Sequence, residues 1–520
     1  MPASARRRAE IGRFAALLLL WELLGRFGLV AHGALPAPSA ILAQLWQDRA
    51  LYPPHLLATL ESAAAGFTIG NLVAVAAAGL FVLAPAAERL ARGINVALFA
   101  VPTIALVPIL VMALPGSAPQ VALAAISVYF PTMLATVVGL RQVDPRLVDL
   151  VRAYAGGPWE LFRRVRLRSA LPALLGGLRV AAPAAVLGSI LAEFGSGARW
   201  GLGTFLLGSL GRADPPRLWG IGLVATALAG SAYLLLAVLG SRVTGATAMV
   251  TLAAEATPER LGQGGTGRRA LAGLLAVAVA LGVWWLLVAL SGLSPVVVKT
   301  PLAVLDYLAW APRAAVARGR LGSALGQTVP LALAGLLAGL AFALGLAVLG
   351  TVRPALARTL LPVALVTQTM PLVALTPLVV LLLGRDAAAT LAITVSVTFF
   401  PAFVAIAQGL ALVPPRAVDL LRAYGASDLA VLRRVSLPFA LPYLFAAVRL
   451  AAPRALLGVM IAEWLATGTG LGNLLNEARG RLDYGMIWAV AAVAVLLSVL
   501  LYEAAGLLER RVLRRFGATG

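Results

Sequence analysis

Residues 419–438 read D-L-L-R-A-Y-G-A-S-D-L-A-V-L-R-R-V-S-L-P, and residues 149–168 repeat the stretch as D-L-V-R-A-Y-A-G-G-P-W-E-L-F-R-R-V-R-L-R. Each is a polar island flanked by apolar runs long enough to cross a bilayer, since about 20 residues of helix at 1.5 Å each span a hydrocarbon core of about 30 Å. Membrane topology by itself asks such a loop only for basic charge. It does not ask for the same Asp, Tyr and Arg at the same spacing twice. The islands therefore read as docking elements, carried by a helical membrane domain present in two copies.

Composition agrees. With 61% hydrophobic and 12% charged residues in a chain of 520, and a mean hydropathy of +0.94, there is more apolar surface than a soluble fold can hide. The apolar runs are continuous rather than alternating, which selects helices over barrel strands. The net charge of +21 lies in Arg clusters between the runs, where basic loops orient a membrane chain, so membrane lipid is an expected partner and nucleic acid is not. Cysteine is absent, which removes disulfides and thiol chemistry. His32 and His55 are too isolated to suggest a metal site.

Twelve spans are expected, at about 11–30, 57–83, 94–114, 121–140, 171–194 and 218–239, then 270–290, 325–349, 360–383, 388–412, 441–465 and 486–508. Arg6, Arg7 and Arg8 before the first span, and Arg510, Arg511, Arg514 and Arg515 after the last, place both termini in the cytoplasm. The stretch 35–52, opening L-P-A-P-S, and its echo L-S-P-V-V-V-K-T-P-L read as amphipathic segments of the outer interface. Residues 242–269, with G-Q-G-G-T-G-R-R, read as a cytoplasmic linker between units 1–241 and 270–520. Residues 149–193 and 419–463 align without a gap and agree at nearly half of their positions, while Pro102 and Pro108 match Pro371 and Pro377. Six crossings per unit make the two repeats parallel. The four prolines are expected to kink their spans.

Within the island, Pro414 and Pro415 are expected to open a helix with Asp419 in its first turn and with Val418, Leu421 and Tyr424 on one face. Gly425 ends it in a left-handed turn. Ser427 caps a second helix through Arg433 and Arg434, which Leu437-Pro438 is expected to stop. The first copy has Ala155 for the Gly and Arg168 for the Pro, with Gly156 and Gly157 following, so its turn is expected to be shifted. The candidate docking residues are Asp149, Arg152, Ala153, Tyr154, Ala155 and Gly156, and Asp419, Arg422, Ala423, Tyr424, Gly425, Ala426 and Ser427.

The spacing acidic residue, five residues, Gly, nine residues, aliphatic-x-Leu-Pro resembles the EAA loop of permease subunits in binding-protein-dependent ABC importers. Asp419 stands at the usual Glu, Gly425 at the Gly, Val435 at the aliphatic and Leu437-Pro438 at the end. R-L-A-A-P-R-A-L-L-G-V-M-I-A-E-W (449–464) with G-L-G-N-L-L (470–475) resembles the nitrate, sulfonate and taurine branch. The likeness covers essentially the whole chain as two fused copies. It implies an all-α integral membrane protein of the type I importer permease fold, about twelve transmembrane helices in two parallel repeats of six, in a bacterial cytoplasmic (inner) membrane. It further implies two ABC ATPase subunits on the cytoplasmic side, an extracytoplasmic solute-binding protein, and a substrate among nitrate, sulfonates, taurine and pyrimidine or vitamin precursors.

Lys299, the sole lysine, follows Val298 in an outer loop. No P-loop can be built on it, so ATP and Mg belong to a partner and the chain is expected to bind no cofactor and to be no enzyme. The alternative is an ion-coupled secondary transporter with parallel repeats, which would not need the bracket. Ionisable residues in apolar spans mark candidate pathway positions: Glu193 and Glu463 near the outer mouth, and Arg454, which replaces Ala184 of the first copy. Thr367, Gln368 and Thr369 stand where the first half has Leu98, Phe99 and Ala100. Glu193 and Glu463 have a plainer reading as partners of Arg or caps of helix ends.

Overall fold

The structure is a computed structural model that describes residues 3–30, 33–212, 214–244, 266–353 and 372–515. The first half runs α1 (Ala3–Arg26), α2 (Pro38–Gln47), α3 (Tyr52–Leu83), α4 (Pro85–Ala100), α5 (Thr103–Ala113), α6 (Ala118–Arg141), α7 (Pro145–Ala153), α8 (Pro158–Leu161), α9 (Leu167–Ser196), α10 (Leu202–Leu210) and α11 (Pro215–Thr244). The second half repeats the order as α12 (Thr266–Leu290), α13 (Pro301–Ala309), α14 (Ala314–Val352), α15 (Leu372–Leu383), α16 (Ala387–Ala411), α17 (Pro415–Ala423), α18 (Asp428–Val431), α19 (Leu437–Ala462), α20 (Gly470–Gly480) and α21 (Tyr484–Arg515).

Among the described residues nine helices are long and apolar enough to cross a membrane, or ten if the bent pair Gly93–Ala100 and Thr103–Ala113 is one span. The two short of twelve are α1, whose apolar run carries Arg13, Glu22 and Arg26, and the span expected at 360–383, much of which lies outside the described residues. The bend is 97°. It falls at Val101-Pro102, where both residues are extended, because the Pro102 ring disfavours helical backbone at Val101. Pro108 and Pro377 sit inside α5 and α15 without breaking them, and Pro371 lies outside the described residues. Helix α11 continues to Thr244 and α12 begins at Thr266, at the two ends of the stretch expected as a linker, and residues 245–265 lie outside the described residues.

Close helix packing is set by small residues. A side chain at Gly66 or Gly70 of α3 would strike Ala124, Ala125 or Val128 of α6, and one at Gly335 or Gly339 of α14 would strike Thr394 or Thr398 of α16. Both halves thus use a Gly-x-x-x-Gly face, the usual way of bringing two helices together where lipid supplies no hydrophobic drive between them. The halves also interlock. Helix α5 packs on α9 of its own half and on α19, α20 and α21 of the other, while α15 reaches back to α9, α10 and α11. Ile104 and Val107 share one core with Leu378, Leu456 and Met460.

The segments read as amphipathic are the short helices α2 and α13. Ile41 and Val304 are buried, whereas Leu42, Trp46, Leu302 and Leu305 are exposed. A repeated pair of tryptophans clamps each segment. Trp21 and Trp219 donate to the Pro36 and Ala34 carbonyls at 3.0 and 3.2 Å, and Trp284 and Trp488 donate to those of Lys299 and Val297 at 3.1 and 3.0 Å. Beyond this the halves diverge: Arg217 forks onto buried Asp48 with two bonds of 2.6 Å, while Tyr307 donates to Asp483 at 3.1 and 3.0 Å.

Burial would raise the Asp48 carboxyl, but the Arg217 hydrogen bonds, the Gln44 amide and the guanidinium charge together outweigh it and hold it below the usual aspartate value. A lowered folded-state pKa means stability that is full above the unfolded value, about 3.9, and lost as pH falls through the folded one. Acid titration of the detergent-solubilised chain should release this corner below about pH 4, and Asp48→Asn should abolish that step. Arg217→Ala should cost about 3 kcal/mol at neutral pH, because Asp48 is left charged and buried.

Candidate functional site

The islands form two brackets of the same geometry. In the second, α17 ends with Gly425 N–H bonding the Arg422 carbonyl at 2.9 Å and Ala426 N–H reaching the Leu421 carbonyl at 3.0 Å. In the first, α7 ends with Ala155 N–H on Arg152 and Gly156 N–H on Val151, both at 2.9 Å. These are the bonds of a Schellman cap, which needs one residue in the left-handed region. Gly425 takes it at φ +76°, and so does Ala155 at φ +56°. The turn of the first bracket is therefore not shifted. The capping bonds hold Ala155 where glycine would be easier, at a cost of about 1 kcal/mol. Ala155→Gly should raise the stability of the first bracket by that amount and Gly425→Ala lower that of the second, read as amide-exchange protection of the two loops.

Three further expectations need correction. Asp419 lies in the second turn of α17, not the first, since the helix begins only at Pro415. In the first bracket the cap is Asp144, which accepts from Arg146 N–H at 2.9 Å. Leu437-Pro438 does not stop the second arm. Ser427 caps α18 through Ala430 N–H at 3.3 Å, and the helix then runs on through a π turn at Leu432–Ser436 into α19. The π turn bonds Leu437 N–H to the Leu432 carbonyl, five residues back. Pro438 follows at the seam where the register returns to four and a carbonyl is skipped in any case, so its missing N–H is tolerated. A π turn at Phe162–Arg166 makes the same join without proline. Each second arm is thus the start of one long helix, Pro158–Ser196 or Asp428–Thr467.

Finally, of Val418, Leu421 and Tyr424, expected on one face, only Tyr424 is exposed. Val418 and Leu421 are half-buried, and Val151, the counterpart of Leu421, packs beneath Gly156. The outward ridge is Leu420, Tyr424 and Leu429, with Leu150, Tyr154 and Trp159 in the first copy. Tyr154 and Tyr424 are 82% and 83% exposed, which is unusual for an aromatic side chain with nothing to dock against. Asp149, Arg152, Ala153 and Asp419, Arg422, Ala423 lie exposed around the ridges, with Arg422 paired to Asp428 at 3.0 Å.

At the far end of the two long helices lie Glu193 and Glu463, both buried. Thr59 donates to Glu193 Oε1 at 2.7 Å and accepts from Leu202 N–H at 2.9 Å, while Glu193 Oε2 accepts from Gly203 N–H at 2.7 Å. Thr328, Leu471 and Gly472 do the same for Glu463 at 2.7, 2.9 and 2.9 Å. Each carboxylate latches the N-terminus of a short outer helix, α10 or α20, where unpaired N–H groups and the helix dipole favour negative charge. A side chain at Gly201 or Gly470 would collide with that carboxylate. The roles of Thr59 and Thr328 were missed in the sequence, where the signal was a Thr at matching positions ahead of each G-L-G. Arg454 is half-buried on α19, and Thr367, Gln368 and Thr369 lie outside the described residues. Among the described residues no cluster of His, Asp or Glu could hold a metal ion.

Residues 70–248 and again 335–514 match the family described as binding-protein-dependent transport system inner membrane component. The chain belongs to that family. The family match occurs twice, once in each half, and the described residues of both halves form helices in the same order. The riboflavin transport system permease protein of Chloroflexus aurantiacus is 34% identical over 159 residues, 31% of this chain and 59% of that relative. A probable ABC transporter permease of Haemophilus influenzae is 33% identical over 168 residues, 32% of this chain and 69% of its own. A putative aliphatic sulfonates transport permease of Bacillus subtilis is 26% identical over 242 residues, covering 46% and 86%. The chain thus spans less than two thirds of the first of these relatives.

Proposed function

We propose that this permease forms the whole translocation path of an importer by itself. Its units, 1–241 and 270–520, stand where two separate chains would otherwise pair. Two ATP-hydrolysing subunits dock on the brackets from the cytoplasm, and a solute-binding protein delivers a small organic solute at the opposite face. Both termini are then cytoplasmic, and the membrane is a bacterial inner membrane. Relatives named for riboflavin and for aliphatic sulfonates indicate the range of cargo.

The observation that carries this reading is the pair of exposed Leu-Tyr ridges rimmed by Arg at matching positions. Such a surface suits an apolar cleft with acidic edges. Because the brackets continue into long helices, α9 of 30 residues and α19 of 26, or about 45 and about 39 Å at 1.5 Å per residue, a push at the ridge is carried stiffly toward the latch on the outer helix. In liposomes the chain alone should accumulate no solute. With its ATPase subunits, binding protein and ATP it should accumulate solute, unaffected by protonophore. Uphill uptake by the chain without any nucleotide-hydrolysing companion would overturn the proposal in favour of an ion-coupled carrier.

A further inference from the structure

Two cavities meet on the flank of the first half, at the end of the bundle away from the brackets. One, of about 510 Å³, is lined by Glu61, Ser62, Gln120, Arg199 and Trp200. The other, of about 680 Å³, shares Gly116, Ser117 and Val121 with it and continues past Ala122 and Ala125 to Ile69. The polar pocket and the apolar groove are offset along α3 by the eight residues from Glu61 to Ile69, or about 12 Å at 1.5 Å per residue. That offset leads from a headgroup layer into hydrocarbon. Leu57, Leu60, Leu72 and Val73 of α3 are exposed on the same helix, as expected of a perimeter facing lipid.

The pocket carries both signs of charge and, on Gln120, a buried acceptor without a partner among the described residues. Arg199 lies over the Trp200 ring at 5.0 Å, and Glu61 is an exposed carboxylate on α3. Gln120 is 3% exposed and its Nε2 donates to Ser196 Oγ at 3.0 Å, but its Oε1 has no hydrogen-bond partner among the described residues. A buried acceptor in a polar cavity calls for an N–H donor. Glu193 also borders the pocket, but its oxygens are engaged by Thr59, Ser189 and Gly203.

We propose that this is a specific site for one phospholipid with a primary ammonium headgroup. The phosphate lies at Arg199, the ammonium between Glu61 and Gln120 Oε1, and an acyl chain in the groove beside Ile69. The second half lacks both charges: Pro330 stands for Glu61, Thr390, whose Oγ1 is also buried without a partner among the described residues, stands for Gln120, and between the left-handed Gly468 and Gly470 the single Thr469 replaces Ala198, Arg199 and Trp200. The site is therefore not a by-product of the repeated fold, and one lipid per chain is expected.

The test is native mass spectrometry of the purified full chain titrated with dioleoyl phosphatidylethanolamine, dioleoyl phosphatidylcholine or soluble glycerophosphoethanolamine. One ethanolamine lipid should be retained. The choline lipid, whose trimethylammonium has no N–H to give, should bind about tenfold more weakly, and Glu61→Gln and Arg199→Gln should each cost a similar factor. Both residues are exposed, so melting temperature should not move. Ala122→Phe, which narrows the groove and leaves the charges in place, should weaken retention too. Equal binding of the two lipids, or unchanged retention in both charge variants, overturns the proposal. So does displacement by glycerophosphoethanolamine, which would mark a site for small zwitterions.

Discussion

Gly425→Pro abolishes the solute-stimulated ATP hydrolysis of the assembled importer while the chain still inserts and elutes as a folded monodisperse species. Proline holds φ near −65°, and Gly425 sits at +76°. The substitution also removes the N–H that bonds the Arg422 carbonyl at 2.9 Å. Both losses fall on the one turn that sets the angle between the bracket's arms, with a combined cost of about 3 kcal/mol or more. Beyond its chain neighbours no atom lies within 4 Å of where a Gly425 Cβ would stand, so the damage stays in the loop and does not spread into the membrane core. Stimulated turnover should drop to the unstimulated rate. The control is Gly425→Ala, which Ala155 shows to be compatible with the same turn and which should keep most of the stimulation. Normal stimulation in Gly425→Pro would remove the bracket from the coupling path.

Glu463→Leu loses the latch on the outer helix of the second half. The Gly472 N–H and the Thr328 hydroxyl are left without their acceptor in a site closed to water, and each orphaned donor costs about 1–3 kcal/mol, or about 4 together. Glu463→Gln keeps one oxygen and should lie between. Glu193→Leu should behave likewise, with the Ser189 hydroxyl at 3.2 Å as a third donor affected. Thermal unfolding in detergent, followed by tryptophan fluorescence, should show the order wild type, Gln, Leu. A Glu463→Leu chain that melts with the wild type would refute the latch.

Much of this was legible before any coordinates. The bilayer demands that every backbone polar group be satisfied within the segment, so a continuous apolar run has little choice but helix, and the spans could be placed from hydropathy. The brackets were legible for the opposite reason: they are polar, local, and built from Pro, Gly and Ser at fixed offsets, which act over a single turn. Local rules failed where a neighbour supplied what the residue lacked. Pro438 reads as a stop, but the π turn before it removes the conflict. Ala155 reads as a misfit, but the two capping bonds over-determine its turn. Pro108 and Pro377 read as kinks, yet the break in the first half falls at Val101-Pro102.

The sequence by itself determined the class of fold, the repeat and the brackets, because each is written in hydrophobic period, charge placement and short-range backbone chemistry. Only the tertiary structure decided that Glu193 and Glu463 are held by Thr59 and Thr328, more than 130 residues away in each case, and that Gln120 lines a cavity with its buried Oε1 unpartnered among the described residues. It also decided which bracket face looks outward. Those are questions of which distant surfaces meet, and no periodicity along the chain records the partner of a buried polar group.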